Sequence, residues 1–292
     1  MTFVSTKPWF ILIILILSVL ASCYPSKKLT VIPTAALLED VVKASSRQSD
    51  LKTIRDGMPA YLMLMDGMIE AWPENERILL AAAQANSAYA SAFLAGDEKA
   101  YALELYGKAM RYALKAFELN AFRNPKTSSF EEFEKELSRL DKKHVPYVFW
   151  AAACWGNWIG LNLNSMEAQA QLPRVEMMMK RVLVLDESYH YGGPHLFMGI
   201  WFASRPKIAG GNLDTARQHF LKAIELGQKK FLMAKIYYAE YYAKKTFDQA
   251  LFTSILNEVL ETPVDIDPEL TLINTVAHRK AQEMLIDAQD YF

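Results

Sequence analysis

The sequence predicts an all-α protein built as irregularly stacked helical hairpins, and three observations carry that prediction. Apolar residues recur at spacings of three and four from Leu37 onward. The long segments are rich in Ala, Leu, Met, Glu and Lys, the better helix formers, and most of the 12 glycines and 12 prolines fall between them. Turn signals at Gly96-Asp97, Asn124-Pro125, Gly192-Gly193-Pro194, Gly210-Gly211-Asn212, Gly227 and Thr262-Pro263 divide the chain into roughly ten to twelve helices with no sheet.

Helix starts carry their own chemistry. Ser129 with Glu132 makes a capping-box pattern, Asn212 precedes Leu213-Asp214-Thr215-Ala216, and Asp267 precedes Pro268 at the favoured first helical position. The charged run Glu131, Glu132, Glu134, Lys135, Glu136, Lys142 and Lys143 reads as a solvated helix face. Of the 292 residues 52% are hydrophobic, enough to fill one large core or two closely packed ones and to exclude a disordered chain. With 32 basic against 33 acidic residues the formal charge is -1, so no broad field gathers nucleic acid.

The first segment bears on compartment. Lys7 precedes an apolar run from Trp9 to Leu17, followed by Leu20-Ala21-Ser22-Cys23. That is the order of an export signal, and it is short for a permanent span. The last four residues resemble the bacterial lipobox, which makes residues 1–22 a signal peptide and Cys23 the site of lipidation. The alternative is an uncleaved anchor helix with an incidental cysteine, and either version places the domain outside the cytoplasm. Two or three acyl chains, at about 0.8 kcal/mol per buried methylene, would hold the protein on a membrane without a spanning helix. Residues 23–36 then form the lipidated cysteine and a tether. The stretch Tyr24 to Pro33 reaches about 30 Å when extended. Tyr24, where an inner-membrane retention signal would carry aspartate, points to the periplasmic face of the outer membrane in a Gram-negative cell. Residues 37–292 are the helical domain. Cys154, in an apolar helical stretch with no basic neighbour in sequence, reads as a buried structural thiol.

An internal repeat refines the fold. Ala216-x3-Phe220-x2-Ala223 matches the second-helix signature of a tetratricopeptide repeat, and Met198-Gly199-x2-Phe202 matches the first, with Gly199 allowing close helix contact. Ala102-x3-Tyr106-x2-Ala109 has the same spacing, and Val175 and Phe252 begin weaker copies 41 residues before and 36 after Ala216, near the roughly 34-residue period of such repeats. Irregular stacking of this kind, an α-solenoid, stands against an unrelated helical bundle that would reproduce the weaker matches.

Little in the sequence points to catalysis. The five histidines make no metal or hydrolase motif, and His190 and His195 flank Gly192-Gly193-Pro194 as parts of a turn. Gly210-Gly211-Asn212 lacks the lysine of a phosphate loop and follows no strand. These readings imply no enzyme, no cofactor and no metal. Aromatic residues are the better lead. Trp155, Trp158, Trp201, Tyr237, Tyr238, Tyr241 and Tyr242 fall on first helices of pairs, which line the concave side of stacked hairpins. Tyr237 with Tyr241 and Tyr238 with Tyr242 make two adjoining stripes suited to a groove.

From about Trp150 to the end the chain resembles a known family. Tyr189-His190-Tyr191-Gly192-Gly193-Pro194-His195-Leu196-Phe197-Met198-Gly199, Ser204-Arg205-Pro206, Gly210-Gly211-Asn212, Ala216-Arg217-x-His219-Phe220-x2-Ala223, Phe231 to Ala243, and Leu272-Ile273-Asn274 are similar to the T-component of tripartite ATP-independent periplasmic (TRAP) transporters. The resemblance implies a lipoprotein of tetratricopeptide-like fold, partnered by the periplasmic solute-binding protein of such a transporter and attached to the membrane by its lipid anchor. It also implies a homo-oligomer, a trimer among the states expected. The domain would hold or pass a small apolar or carboxylated ligand, with Arg205 the cation placed to meet a carboxylate, or would use that guanidinium in an inter-helix salt bridge. The alternative is a general protein–protein scaffold of the cell envelope.

Overall fold

The structure, a computed structural model, describes residues 37, 40–94 and 96–292, with the backbone alone described at Asp97. The export segment, Cys23 and the tether lie outside the described residues. Among the described residues there are thirteen α-helices and no strand, and no helix is long and apolar enough to cross a membrane.

The helices are α1 (Leu51–Ala71), α2 (Glu76–Phe93), α3 (Lys99–Asn120), α4 (Phe130–Ser138), α5 (Val145–Leu161), α6 (Met166–Ala170), α7 (Leu172–Asp186), α8 (Tyr189–Ser204), α9 (Leu213–Leu226), α10 (Met233–Tyr238), α11 (Gln249–Glu261), α12 (Thr271–Ile286) and α13 (Ala288–Tyr291). Those beyond the ten to twelve expected are single turns such as α6 and α13, too short to give a periodic signal. Side-chain caps set many of the boundaries. Asp50, Asn75, Ser129, Asn212 and Asp248 each accept the backbone N–H of a first-turn residue of α1, α2, α4, α9 and α11 respectively, relieving donors that a helix start leaves unpaired. Asp267 caps the 3-10 turn Pro268–Leu270 that leads into α12.

Successive long helices pack as antiparallel neighbours: α2 on α3, α3 on α5, α5 on α7, α8 on α9, and α11 on α12. First helices of adjacent hairpins also touch. Cys154 of α5 faces the Ala83 carbonyl of α2, and Asn157 donates to Ser87 at 3.1 Å, so residue numbers rise together and α2 and α5 run parallel. Contacts of α5 with α8, α8 with α10 and α10 with α12 continue this inner row. α4 and α6 lie against α7.

Two large apolar clusters fill the interior, beside two smaller ones between the N-terminal helices. One large cluster gathers Phe117, Phe133, Val148, Trp155, Met178 and Met179 from α3, α4, α5 and α7, and the other Phe220, Leu232, Ile236, Phe252 and Leu256 from α9, α10 and α11. Small residues set the approach between helices. A Cβ on Gly199 would stand 2.9 Å from the Phe220 ring, and one on Gly193 would stand 2.6 Å from Phe149, closer than carbon atoms tolerate. Ala216, Phe220 and Ala223 have no accessible surface, so the repeat signature is the contact between α8 and α9. Cys154 is fully buried, and burial pushes its thiol up to about 12, which keeps it inert at neutral pH.

The stack curls until its ends meet. α12 touches α1, Leu51 and Ala92 pack on the C-terminal cluster, the Arg279 guanidinium donates to the Ala92 carbonyl, and Arg47 Nε donates to Glu269 at 2.8 Å.

Candidate functional site

Where the two ends of the stack face one another, polar and aromatic residues distant in sequence lie near one another. Ser91 comes from α2, Tyr106 from α3, and Tyr237, Glu240 and Tyr241 from α10 and its continuation. The Ser91 hydroxyl acts to lower the hydroxyl pKa of both Tyr106 and Tyr237, against the larger effect of burial. The rings of Tyr237 and Tyr241 lie 6.1 Å apart, and Glu240 acts electrostatically on both. Protein surrounds these groups, and burial raises the hydroxyl pKa of Tyr106, Tyr237 and Tyr241. All three rings nevertheless keep accessible surface, and Glu240 is exposed.

A change of helix type positions these side chains. Ala239–Ala243 is a π-helical turn, in which one extra residue per turn shifts the register of every side chain that follows. Such turns are strained relative to α-helix and are found mostly where a side chain must be re-aimed. Here the turn contains Glu240 and Tyr241. Desolvation raises the Glu240 carboxyl pKa, opposed by Lys280 and Lys244.

The other sequence-predicted aromatics divide. Trp155 is 0% exposed, and Trp201 and Tyr238 are also buried. These three are core residues and do not line an open groove, because each is consumed by packing between hairpins. Tyr238 stacks on Tyr242 at 5.2 Å and tilts against Phe220 at 5.8 Å, so this stripe faces α9. Tyr242 is half-buried in that same stack. Trp158 is half-buried over Gly107, where an added Cβ would meet its ring at 3.4 Å. Of the seven candidates, Tyr237 and Tyr241 pair ring to ring and keep accessible surface near Tyr106.

Arg205 is already engaged. Its guanidinium lies 3.6 Å from the centre of the Trp201 ring and 3.6 Å from a Glu176 oxygen. It joins α7 to the end of α8, the inter-helix salt bridge that was the other expectation for it. Ser91, Tyr106 and Glu240 were not singled out from the sequence. Tyr106 stood in plain view at the aromatic position of a repeat-like spacing, where phenylalanine would fill a gap without a hydroxyl to satisfy. Ser91 and Glu240 carried no signal.

The histidines form a second polar cluster. His195 Nε2 pairs with Glu187 at 3.0 Å, and His195 Nδ1 lies 2.9 Å from His219 Nδ1. Glu187, held low chiefly by its hydrogen bond from His195, is an acceptor, so His195 donates through Nε2 and accepts from the N–H of His219. The His219 ring also stacks on Phe202 at 5.6 Å. Among the described residues no three His, Cys, Asp or Glu side chains gather as metal ligands. His190 sits among Phe149, Trp150, Tyr189 and Phe231, and with Tyr191 and Gly192 it takes left-handed backbone angles at the entry to α8. Left-handed backbone costs a non-glycine residue about 1–2 kcal/mol, offset here by this aromatic packing and by Tyr191 stacked on Phe231 at 5.4 Å.

Burial aided by His195 lowers the half-buried His219 to about 4. The unfolded chain, with this histidine near 6.5, therefore binds more protons than the folded one between those values, and stability rises with pH there. The contribution is complete above about pH 6.5 and is lost as pH falls toward 4. We expect the urea midpoint to drop between pH 7 and pH 5, and His219→Gln to flatten that dependence. An equal slope in the variant would exclude His219 as a source.

An all-helical stack of hairpins whose ends join beside a tyrosine cluster is thus the class of protein that fold and site define. Residues 47–292 match the family model described as TAtT, TRAP transporter T-component, and the chain belongs to that family. The match extends well upstream of Trp150, where the resemblance becomes legible by eye, and takes in α1, α2 and α3. No curated protein matches the chain.

Proposed function

We propose that this chain is a membrane-anchored accessory protein of the cell envelope that docks with the periplasmic solute-binding subunit of a TRAP transporter and holds or passes a small ligand. Membership of the T-component family supports the transport setting. The Leu20-Ala21-Ser22-Cys23 sequence supports a lipid anchor at Cys23, with the periplasmic face of the outer membrane as its place. The observation that supports the ligand reading is the cluster of Tyr106, Tyr237 and Tyr241, whose hydroxyl pKa values burial raises while their rings keep accessible surface. Tyrosines suit such a role, offering apolar area and a hydroxyl at low conformational cost.

The scaffold reading draws on a different surface. Gln249, Ala250, Thr253, Ser254, Asn257, Glu258 and Glu261 of α11 border an open concavity of about 830 Å³, polar enough to take an extended segment of another protein.

Co-purification separates the two. The full chain, extracted in mild detergent from the organism that makes it, should retain a periplasmic solute-binding protein. Tyr237→Ala should leave the fold intact and reduce ligand carried by the complex. Recovery of envelope-assembly proteins without a solute-binding protein would overturn the transport reading in favour of the scaffold.

A further inference from the structure

We propose that one edge of the stack is a docking surface for a folded protein partner, with Met166, Ile208, Phe247 and Ile286 as apolar knobs that seat in depressions on that partner. The inference rests on the reading of this chain as a protein that docks, and adds where it does so. Among the described residues these four are the large apolar side chains more than 75% exposed, at 86%, 99%, 76% and 78%. Exposed apolar residues are ordinary when scattered.

Helix direction puts these four in one row. Phe149 lies against Gly193 and Gly156 against Phe197, Tyr191 against Phe231 and the Ala203 carbonyl against Lys245, Leu232 against Asn274 and Lys244 against Tyr291. Residue numbers rise together within each pair of contacts, so α5, α8, α10 and α12 run parallel and their C-terminal ends share an edge. Met166 follows the turn that ends α5, Ile208 sits in the 3-10 turn after α8, Phe247 in the turn after Ala239–Ala243, and Ile286 ends α12. Neighbouring axes about 8–10 Å apart make the row about 30 Å long, the breadth of an interface burying about 800 Å² on each partner.

Local structure holds the knobs out. The Gly211 N–H donates to the Pro206 carbonyl and the Asn212 N–H to that of Phe202, both at 3.0 Å, which closes the loop beneath Ile208. Phe247 has a φ of 54°, a left-handed backbone that glycine takes freely and a bulky residue rarely does, and its exposed ring gains no burial in return. Two observations favour a protein over a bilayer as the occupant. Ser46 and Arg47 bind Glu269 in the turn before α12, so the N-terminal segment joins the domain at the opposite edge. Lys207, Lys244 and Lys245 are at least balanced by Glu167, Asp248 and Asp287 in the same turns, which leaves no net attraction to anionic lipid.

The test titrates the full chain, in mild detergent, with the solute-binding protein it retains on co-purification. Ile208→Asp, of unchanged melting temperature, should weaken binding at least tenfold. Phe247→Gly should do the same while keeping or raising the melting temperature, because glycine relieves the left-handed backbone. Met63→Asp and Val184→Asp, at residues 74% and 75% exposed on α1 and α7, should bind within about twofold of the parent. Parent-like binding by both Ile208→Asp and Phe247→Gly would rule out this edge and leave the docking reading intact. If the parent retains no solute-binding protein, the docking reading fails and takes this inference with it. Loss of self-association in Ile208→Asp would give the edge to a second copy of the chain. A blue-shifted dye at Ile208→Cys, in phosphatidylethanolamine–phosphatidylglycerol vesicles without partner, would give it to the bilayer. Either result overturns the proposal.

Discussion

Asn274→Ala should destabilise the protein by about 3 kcal/mol or more, seen as a melting temperature lowered by roughly 6–12 °C. Asn274 is fully buried on α12. Its Oδ1 accepts the Leu232 N–H at 3.1 Å, and its Nδ2 donates to the Lys230 carbonyl at 3.0 Å and to that of Val264 at 3.2 Å. One side chain thus satisfies backbone groups of two loops, and only an amide offers an acceptor and two donors in that space. Alanine leaves the Leu232 N–H and two carbonyls without this partner in an interior site, each costing about 1–3 kcal/mol if nothing replaces it. Asn274→Asp is the informative companion, because it keeps the acceptor and turns carboxylate oxygen toward two carbonyls. It should be no better tolerated than alanine at neutral pH. A melting temperature within a degree or two of the parent for Asn274→Ala would mean that water or a neighbouring group takes over these bonds. Since Leu232 leads directly into α10, the same substitution should loosen the helix that carries Tyr237.

Phe220→Ala is expected to cost about 3–5 kcal/mol, the range for emptying a fully buried phenylalanine site. The ring has no accessible surface and fills the space between Gly199 of α8 and Tyr238 of α10, so its loss opens a void shared by three helices. Gly199→Val approaches the same contact from the other side. Its Cβ would stand 2.9 Å from ring carbons of Phe220, and the overpacking should cost about 1–3 kcal/mol. The pair provides its own control, because Phe220→Leu shortens the side chain that Gly199→Ala would strike. The double variant should be less destabilised than the sum of the two single changes. Strict additivity, measured by denaturant unfolding, would show that α8 and α9 can separate without loss and that the close approach is incidental.

Fold class was legible because helical periodicity and capping act over a few residues. Asn212 and Ser129 cap where their sequences say they should, although Ser129 uses only its own half of the capping-box pattern, accepting from the Glu132 N–H. Gly199, Ala216, Phe220 and Ala223 announced their contact because small and aromatic residues at fixed spacing have one economical way to meet. The tyrosine cluster was only half legible. Two tyrosine stripes could be seen at 237–242, but which one packs on Phe220 depends on the π-turn at Ala239–Ala243, and nothing in Ala-Glu-Tyr-Tyr-Ala states that register shift. Tyr106 and Ser91 join Tyr237 across more than a hundred residues, through a curvature summed over every hairpin between them. Each hairpin contributes a small rotation set by side-chain volume, and local sequence does not specify their sum. Trp155 was misassigned for the converse reason: an aromatic on an inner helix is core wherever the next hairpin covers it.

Stacked hairpins are ordinarily one-dimensional objects. Each unit touches only the units beside it, the outermost ones fray first, and stability approximates a chain of nearest-neighbour terms. The seam between α12 and α1, pinned through Arg279 to Ala92 and Arg47 to Glu269, changes that arithmetic. With first and last units joined, neither is a free end, and unravelling must begin by opening a contact between residues more than 180 positions apart. The seam therefore acts as a rivet across the join, tying the integrity of each terminal helix to that of the whole ring.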